Sequence, residues 1–166
     1  GVGKNGGVLA IAGDDPSCKS STLPSQSEPA LFDVMMPIFY PGNVQEILDL
    51  GRFAYEMSRF SGLWSGFKIV TDIADGFGSA IVHPERVQIN IPDFQYNGMP
   101  WKHTQNAKLV GHHSLPTEKE IHLGRIEAAK LFLAANKINK ITVSSDNDKF
   151  GIITSGKTYY DVVEAF

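Results

Sequence analysis

Short apolar runs alternate with amphipathic stretches through the first half of the chain. The runs that predict strands are residues 8–12, 35–40 and 67–72. One helix is predicted around residues 25–34. A longer helix is predicted from Asn43 to about residue 60, and Asn43 and Glu46 form a capping-box-like pattern at its start. Strands that alternate with helices through short connections predict an α/β fold with a mainly parallel sheet.

The pattern changes after about residue 75. Residues 84–116 contain four prolines and show no clear period, which is typical of a linker or of a segment that lies on a partner surface. Thr117 and Glu120 form a second capping-box pattern that opens a helix to about residue 136. Further strands are predicted at residues 80–83, 141–144 and 150–154, before a final helix. The expected organisation is a first α/β piece (residues 1–90), an irregular linker (residues 91–116) and a second α/β piece (residues 117–166).

Composition narrows the class of protein. The chain has 166 residues, 42% of them hydrophobic, and a net charge of -3, with no basic run that would favour nucleic acid or an anionic membrane as partner. No apolar stretch approaches the roughly 20 residues of a membrane span. A single cysteine, Cys18, excludes an internal disulfide and a four-cysteine iron–sulfur site, and we expect a cytoplasmic setting.

Because the chain opens on Gly1 without methionine and closes as a helix begins, we also expect a piece of a longer protein.

A polar loop directly after the first predicted strand is the candidate site. Asp14, Asp15 and Pro16 end the strand, and a stretch rich in hydroxyl groups follows. Ligands of open α/β sheets bind at the carboxyl ends of strands. The two carboxylates suit Mg²⁺ binding or acid–base chemistry. Neighbours on an extended chain point in opposite directions, however, so a turn-capping carboxylate beside a solvated one is an equally good interpretation.

Polar residues further along this loop are candidate ligand contacts. They could line a pocket, although on their own they fit a solvated loop equally well: Ser20, Ser21, Thr22, Ser25, Gln26 and Ser27. Cys18 lies in the same loop, and with only Lys19 as a basic neighbour it is not expected to be a nucleophile.

Three other motifs resemble ligand-binding or metal-binding patterns, but their context favours ordinary structural explanations. Residues 1–6 match a dinucleotide-binding glycine pattern, but a strand follows where a helix is needed. Residues 151–158 match the phosphate-loop pattern G-x-x-x-x-G-K-[ST] letter for letter, although the β-branched Ile152 and Ile153 favour a strand-to-helix turn. The neighbouring His112 and His113 lack a nearby third metal ligand.

Several segments together resemble a known enzyme family. The most specific is the combination of Asp-Asp-Pro-Ser with Ser-Ser-Thr and Gln-Ser within residues 6–28, and the resemblance continues through residues 41–46, 58–64, 68–72 and 150–163. These segments resemble the indolepyruvate ferredoxin oxidoreductases, which are thiamine-diphosphate enzymes of the 2-oxoacid:ferredoxin oxidoreductase group. By this resemblance, residues 1–90 look like the later part of a pyrimidine-binding domain, and residues from about 140 look like the start of a transketolase C-terminal-like domain.

The resemblance implies a function for the whole enzyme. Enzymes of this group oxidatively decarboxylate aryl 2-oxoacids with thiamine diphosphate and Mg²⁺, pass electrons through iron–sulfur clusters to ferredoxin, and transfer the acyl group to coenzyme A. The family's diphosphate and Mg²⁺ domain has no counterpart in these residues, so other domains or subunits of a homo-oligomeric enzyme are implied as partners, and the piece is expected to be inactive alone.

The same resemblance implies where the cofactor or substrate binds. It puts residues 13–28 beside the thiamine and substrate pocket and assigns no catalytic residue and no metal ligand. The predicted contacts are Asp14, Asp15, Ser20, Ser21 and Gln26. Two alternatives stay open at this point: a non-catalytic α/β binding or assembly module, and a nucleotide-binding protein that uses Gly151 to Thr158.

Overall fold

A three-stranded parallel sheet organises the first half of the chain. The computed structural model describes residues 2–106, 108 and 110–166. The sheet consists of β1 (Leu9–Asp14), β2 (Ile38–Phe39) and β3 (Ser65–Val70), in the order β1-β3-β2. Both outer strands run parallel to β3. The prediction of an α/β fold with a parallel sheet is confirmed, and the carboxyl ends of the strands meet at one edge.

The strand boundaries differ from the prediction for local reasons. The second strand is two residues long rather than six, because Met35 has a left-handed backbone (φ 56°) and Pro37 has no N–H group to donate. The third strand ends at Val70, opposite the last residue of β1. The chain then turns into the short helix α3 (Thr71–Ala74), so the predicted extension of the strand to residue 72 is wrong.

The main helix of the first half forms as its capping signals predict. Helix α1 (Glu28–Asp33) precedes β2, and α2 (Val44–Ser61) follows it. The Asn43 side chain accepts a hydrogen bond from the Glu46 N–H at 2.8 Å, and the Glu46 carboxylate accepts one from the Gly42 N–H at 2.8 Å. The carboxylate therefore reaches one residue further back than a capping box requires. Gly62 ends the helix with a left-handed backbone (φ 81°), as glycine does at many C-caps.

The second long helix begins earlier than predicted. Its parts are α4 (Ser114–Glu120), a π-helical turn (Ile121–Arg125) and α5 (Ile126–Ala135). Thr117 does not cap it: its hydroxyl donates within the helix to the His113 carbonyl at 3.0 Å. Pro116 fits there because the first turn of a helix has no internal partner for a proline N–H.

A small hairpin interrupts the irregular segment. Strands β4 (Gln95–Tyr96) and β5 (Met99–Pro100) pair in antiparallel fashion. Asn97 and Gly98 form the turn between them with φ values of 53° and 74°. Asn-Gly is a strong sequence signal for such a turn, and it could have been found from the sequence. A short 3₁₀ turn (Gly111–His113) then leads into α4.

One core joins the two long helices. Among the residues that the structure describes, the buried apolar cluster consists of Phe39, Ala54, Met57, Leu63, Phe67, Ala129 and Phe132. Phe132 of α5 is fully buried and its ring lies 6.2 Å from that of Phe60 at the end of α2. Helix α5 therefore packs against α2. The division into residues 1–90, 91–116 and 117–166 stays a prediction.

Three predicted strands do not form within the described residues. Residues 80–83, 141–144 and 150–154 have no ladder partner there, and these predictions are wrong. Their apolar side chains are exposed, with Val82 at 83% and Val143 at 82%. β-branched runs predict strands, but a strand needs a neighbour to pair with its backbone groups.

The last helix docks back on the carboxyl edge of the sheet. Helix α6 (Lys157–Ala165) begins after Gly156, and the Tyr160 hydroxyl donates to the Glu46 carboxylate at 2.7 Å. A Cβ atom on Gly42 would lie 2.4 Å from the Gly156 carbonyl oxygen. The contact therefore depends on the close approach of two glycines.

Candidate functional site

Asp14 closes the base of the polar loop formed by residues 15–27. It is the last residue of β1 and is only 4% exposed. Its Oδ2 atom accepts hydrogen bonds from both the N–H and the hydroxyl of Ser27, each at 3.0 Å. The Thr71 hydroxyl donates to the Asp14 carbonyl at 3.1 Å. The loop therefore leaves the strand and returns to the same carboxylate.

Asp15 organises the interior of that loop. Its carboxylate accepts the backbone N–H groups of Lys19, Ser20 and Ser21 at 2.8, 2.8 and 2.7 Å. Its own N–H donates to the Ser25 hydroxyl at 2.7 Å. The Ser20 N–H, with those of Lys19 and Ser21, holds the pKa of Asp15 far below its ordinary value, although burial opposes the shift. Asp15 is therefore an ionised template for the loop and has no proton to donate.

A buried lysine, which the sequence analysis did not single out, lies beneath the loop. Lys68 is in the central strand β3 and is 6% exposed. Its Nζ atom lies 2.5 Å from Glu28 Oε1, 3.4 Å from Asp14 Oδ2 and 4.5 Å from the centre of the Tyr40 ring. Burial alone lowers the pKa of Lys68, but the hydrogen bond to Glu28 and the nearby negative charge raise it above the ordinary value. A lysine within an otherwise apolar strand was the available sequence signal.

A cleft of about 440 Å³ opens between the loop and Lys68. Its lining residues are Pro16, Pro24, Ser25, Gln26 and Lys68. This volume falls within the range of small-molecule sites. Gln26 thus lies where the sequence predicts a ligand contact. Ser20 and Ser21 do not line the cleft, and their backbone N–H groups serve the Asp15 carboxylate instead.

The loop is also tied to its neighbours at the same edge of the sheet. The Lys19 ammonium pairs with the carboxylate of Asp72 in α3, which lowers the pKa of Asp72. Asp72 lines a second cleft, of about 370 Å³, beside the beginning of α2. Cys18 is exposed and has a left-handed backbone (φ 53°). The loop thus lines the first cleft and is connected through Lys19 to a residue that lines the second.

The other motifs acquire structural partners that weaken their chemical interpretation. The Lys157 ammonium is paired with the Asp161 carboxylate of its own helix at 2.6 and 2.8 Å. The rings of His112 and His113 pack on each other at 4.1 Å.

Within residues 2–106, 108 and 110–166, no group of three or more histidine, cysteine or acidic residues could hold a metal ion. None of the helices in those ranges has the length and apolar character needed to cross a membrane.

The fold and the cleft define a mixed α/β protein with a ligand-sized cleft at the carboxyl edge of a parallel sheet. Three curated proteins that are similar to the chain share one description, indolepyruvate oxidoreductase subunit IorA. The Archaeoglobus fulgidus protein is 24% identical over 165 residues, which cover 99% of the chain and 25% of that protein. The proteins of Pyrococcus horikoshii and Pyrococcus abyssi are each 28% identical over 119 residues, or 60% of the chain and 18% of theirs.

The chain therefore spans a quarter or less of the length of these relatives, and it is similar to part of an oxidoreductase subunit. No family model matches it. No solved structure matches it either.

Proposed function

We propose that the chain is part of an oxidoreductase that oxidatively decarboxylates aryl 2-oxoacids of the indolepyruvate type. The observation that carries this proposal is the match of 165 residues, 99% of the chain, to one IorA subunit. The enzyme would pass electrons through iron–sulfur clusters to ferredoxin and the acyl group to coenzyme A. The relatives are named as subunits, which supports further subunits or domains as partners. A cytoplasmic location and a homo-oligomeric state are part of the same proposal.

Within that enzyme, residues 1–90 would form the later part of the pyrimidine-binding domain. The cleft suits the polar, ring-shaped end of thiamine diphosphate, because it combines the Ser25 hydroxyl and the Gln26 amide with the apolar rings of two prolines. Thiamine diphosphate, when bound, supplies the electron sink for the loss of carbon dioxide. The residues after about 140 would begin the transketolase C-terminal-like domain.

The two aspartates do not fit a role at the Mg²⁺ and diphosphate end of the cofactor. Asp14 Oδ2 already binds Ser27 and lies beside the Lys68 ammonium, and both Asp15 oxygens accept backbone N–H groups. Mg²⁺ needs carboxylate oxygens that are free to coordinate it. We therefore assign the metal and the diphosphate to other parts of the enzyme. Asp14, Asp15, Ser20 and Ser21 would shape the pocket, while Gln26 and Ser25 would contact the bound group.

An assay of the complete enzyme tests this assignment. The readout is ferredoxin reduction that depends on indolepyruvate and thiamine diphosphate. Gln26→Ala is expected to weaken thiamine diphosphate affinity about three- to tenfold, which corresponds to one lost hydrogen bond. Ser21→Ala is the matched control, because it keeps the backbone N–H that Asp15 accepts.

Two results would contradict the proposal. A wild-type enzyme that binds no thiamine diphosphate would favour a non-catalytic α/β binding module. Unchanged affinity in Gln26→Ala would remove this residue from the cofactor site, and unchanged affinity in both Gln26→Ala and Ser25→Ala would remove the cleft.

A further inference from the structure

Both ends of the polar loop converge on one buried ammonium group. Asp14 is the last residue before residues 15–27, and Glu28 is the first residue after them. Lys68 Nζ lies 3.4 Å from the carboxylate of the first and 2.5 Å from that of the second. The Lys68 side chain thus joins the two ends of the loop by charge, in addition to the hydrogen bonds that Ser27 donates to Asp14.

The charge of Lys68 is already balanced within the protein. Two carboxylates surround one ammonium, and the face of the Tyr40 ring covers a further side of it at 4.5 Å. Lys68, Asp14 and Glu28 together carry one net negative charge. Because the ammonium already has these partners, it attracts an anionic ligand weakly, and direct binding of substrate does not explain why the lysine is there.

Glu28 connects the ammonium to the cleft. Burial raises the pKa of Glu28, but Lys68 and the side-chain amide of Gln26 together lower it below the ordinary value. Glu28 Oε2 is buried and has no hydrogen-bond donor within the described part of the chain. Without Lys68, this carboxylate would be left without a counter-charge beneath the residue that is expected to contact the ligand.

We propose that Lys68 is a positioning residue that holds Asp14 and Glu28 together beneath the loop and thereby places Gln26 in the cleft. Lys68 thereby adds a charged contact to the hydrogen bonds by which Asp14 and Asp15 already hold Ser27 and Ser25. The kinetic consequence rests on the proposed function, whereas closure of the loop is a property of the protein whatever reaction it catalyses.

The test compares Lys68→Met with Lys68→Arg in the complete enzyme. Hydrogen exchange of residues 15–27 is expected to accelerate at least tenfold in Lys68→Met and to stay within threefold of wild type in Lys68→Arg, which keeps the charge. Exchange in Val44–Ser61 serves as the internal control. At saturating thiamine diphosphate, kcat should fall less than the apparent cofactor affinity, because the affected contact is one of binding.

The double variant Lys68→Met/Glu28→Gln keeps the test decisive if the single variant fails to fold. Removing the unpaired carboxylate should recover a folded protein whose loop still exchanges faster than wild type. Wild-type exchange in both variants would overturn the proposal, and so would lost cofactor affinity with unchanged exchange, which would indicate direct ligand contact. A wild-type enzyme without thiamine-dependent turnover would end the proposed function and leave the exchange result interpretable.

Discussion

Replacement of Arg125 by methionine should destabilise the protein through a buried cluster at the π-helical turn. Arg125 is 5% exposed. It donates to Glu120 Oε1 at 2.9 Å, to the Gly62 carbonyl at 3.0 Å and to the Thr104 carbonyl at 2.6 Å. Glu120 in turn accepts the N–H and the hydroxyl of Thr104 at 3.1 and 2.5 Å. One side chain thus connects the end of α2, the irregular segment and the second long helix.

The size of the effect follows from this geometry. Removing one partner of a buried ion pair costs about 3–5 kcal/mol, because the other charge stays buried without compensation. Domains of ordinary size have a free energy of unfolding of about 5–15 kcal/mol, so this loss is a large share. The double variant Arg125→Met/Glu120→Gln should lose less than the single one, since it leaves no uncompensated charge. Arg125→Lys keeps the charge, but its compact ammonium group lacks the planar fork of donors that reaches three separate acceptors, so its loss of stability should lie between those of the single and double variants.

The pH dependence of stability gives a second measurement on the same cluster. Burial raises the pKa of Glu120, but Thr104 and Arg125 lower it, and the net value lies below the ordinary 4.5. A lowered folded-state pKa contributes stability that is present above the ordinary value and is lost as the pH falls through the folded-state value. In Arg125→Met, the loss of stability as the pH falls should therefore be smaller than in the wild type.

Urea unfolding of the wild-type chain and the three variants, at neutral pH and between pH 5 and 3, measures both effects. A free energy of unfolding for Arg125→Met within about 0.5 kcal/mol of wild type would refute the reasoning, because surface substitutions have effects of that size.

Three further predictions concern the loop, the last helix and the core. Ser21→Pro removes an N–H that Asp15 accepts, so hydrogen exchange in residues 15–27 should accelerate, while Ser21→Ala should match wild type. Gly42→Ala puts a Cβ atom 2.4 Å from the Gly156 carbonyl oxygen, and protease cleavage within α6 should become faster as that helix detaches. Phe132→Ala empties a fully buried site and should cost about 3–5 kcal/mol in urea unfolding. These predictions would be contradicted by unchanged hydrogen exchange in Ser21→Pro, unchanged cleavage in Gly42→Ala, or unchanged stability in Phe132→Ala.

Local signals predicted the part of the fold that depends on neighbours in sequence. The apolar run before Asp14 and the cap at Asn43 are short-range features, and the strand and helix they predict are confirmed. The strands predicted at residues 141–144 and 150–154 failed because pairing depends on a second strand, which their own residues do not specify. The π-helical turn at Ile121–Arg125 has no local signal of this kind, because its side chains satisfy groups far away in sequence.

The candidate site was predictable only in outline. The end of a strand marked the loop, and Gln26 lies in the cleft, but the partners of the other side chains required the structure. Ser20 and Ser21 contact Asp15 through backbone N–H groups, which any residue except proline carries, and the Ser20 hydroxyl adds a longer hydrogen bond at 3.4 Å. Lys68 gains its role from residues 40 and 54 positions away, and no spacing rule connects them.

The most direct test of the account is a structure of the complete enzyme with thiamine diphosphate or a non-reactive analogue bound. The pyrimidine end of the ligand is expected to lie in the cleft between residues 15–27 and Lys68, within hydrogen-bond distance of the side chain of Gln26 or Ser25. A ligand bound elsewhere, with this cleft open to bulk water, would contradict it.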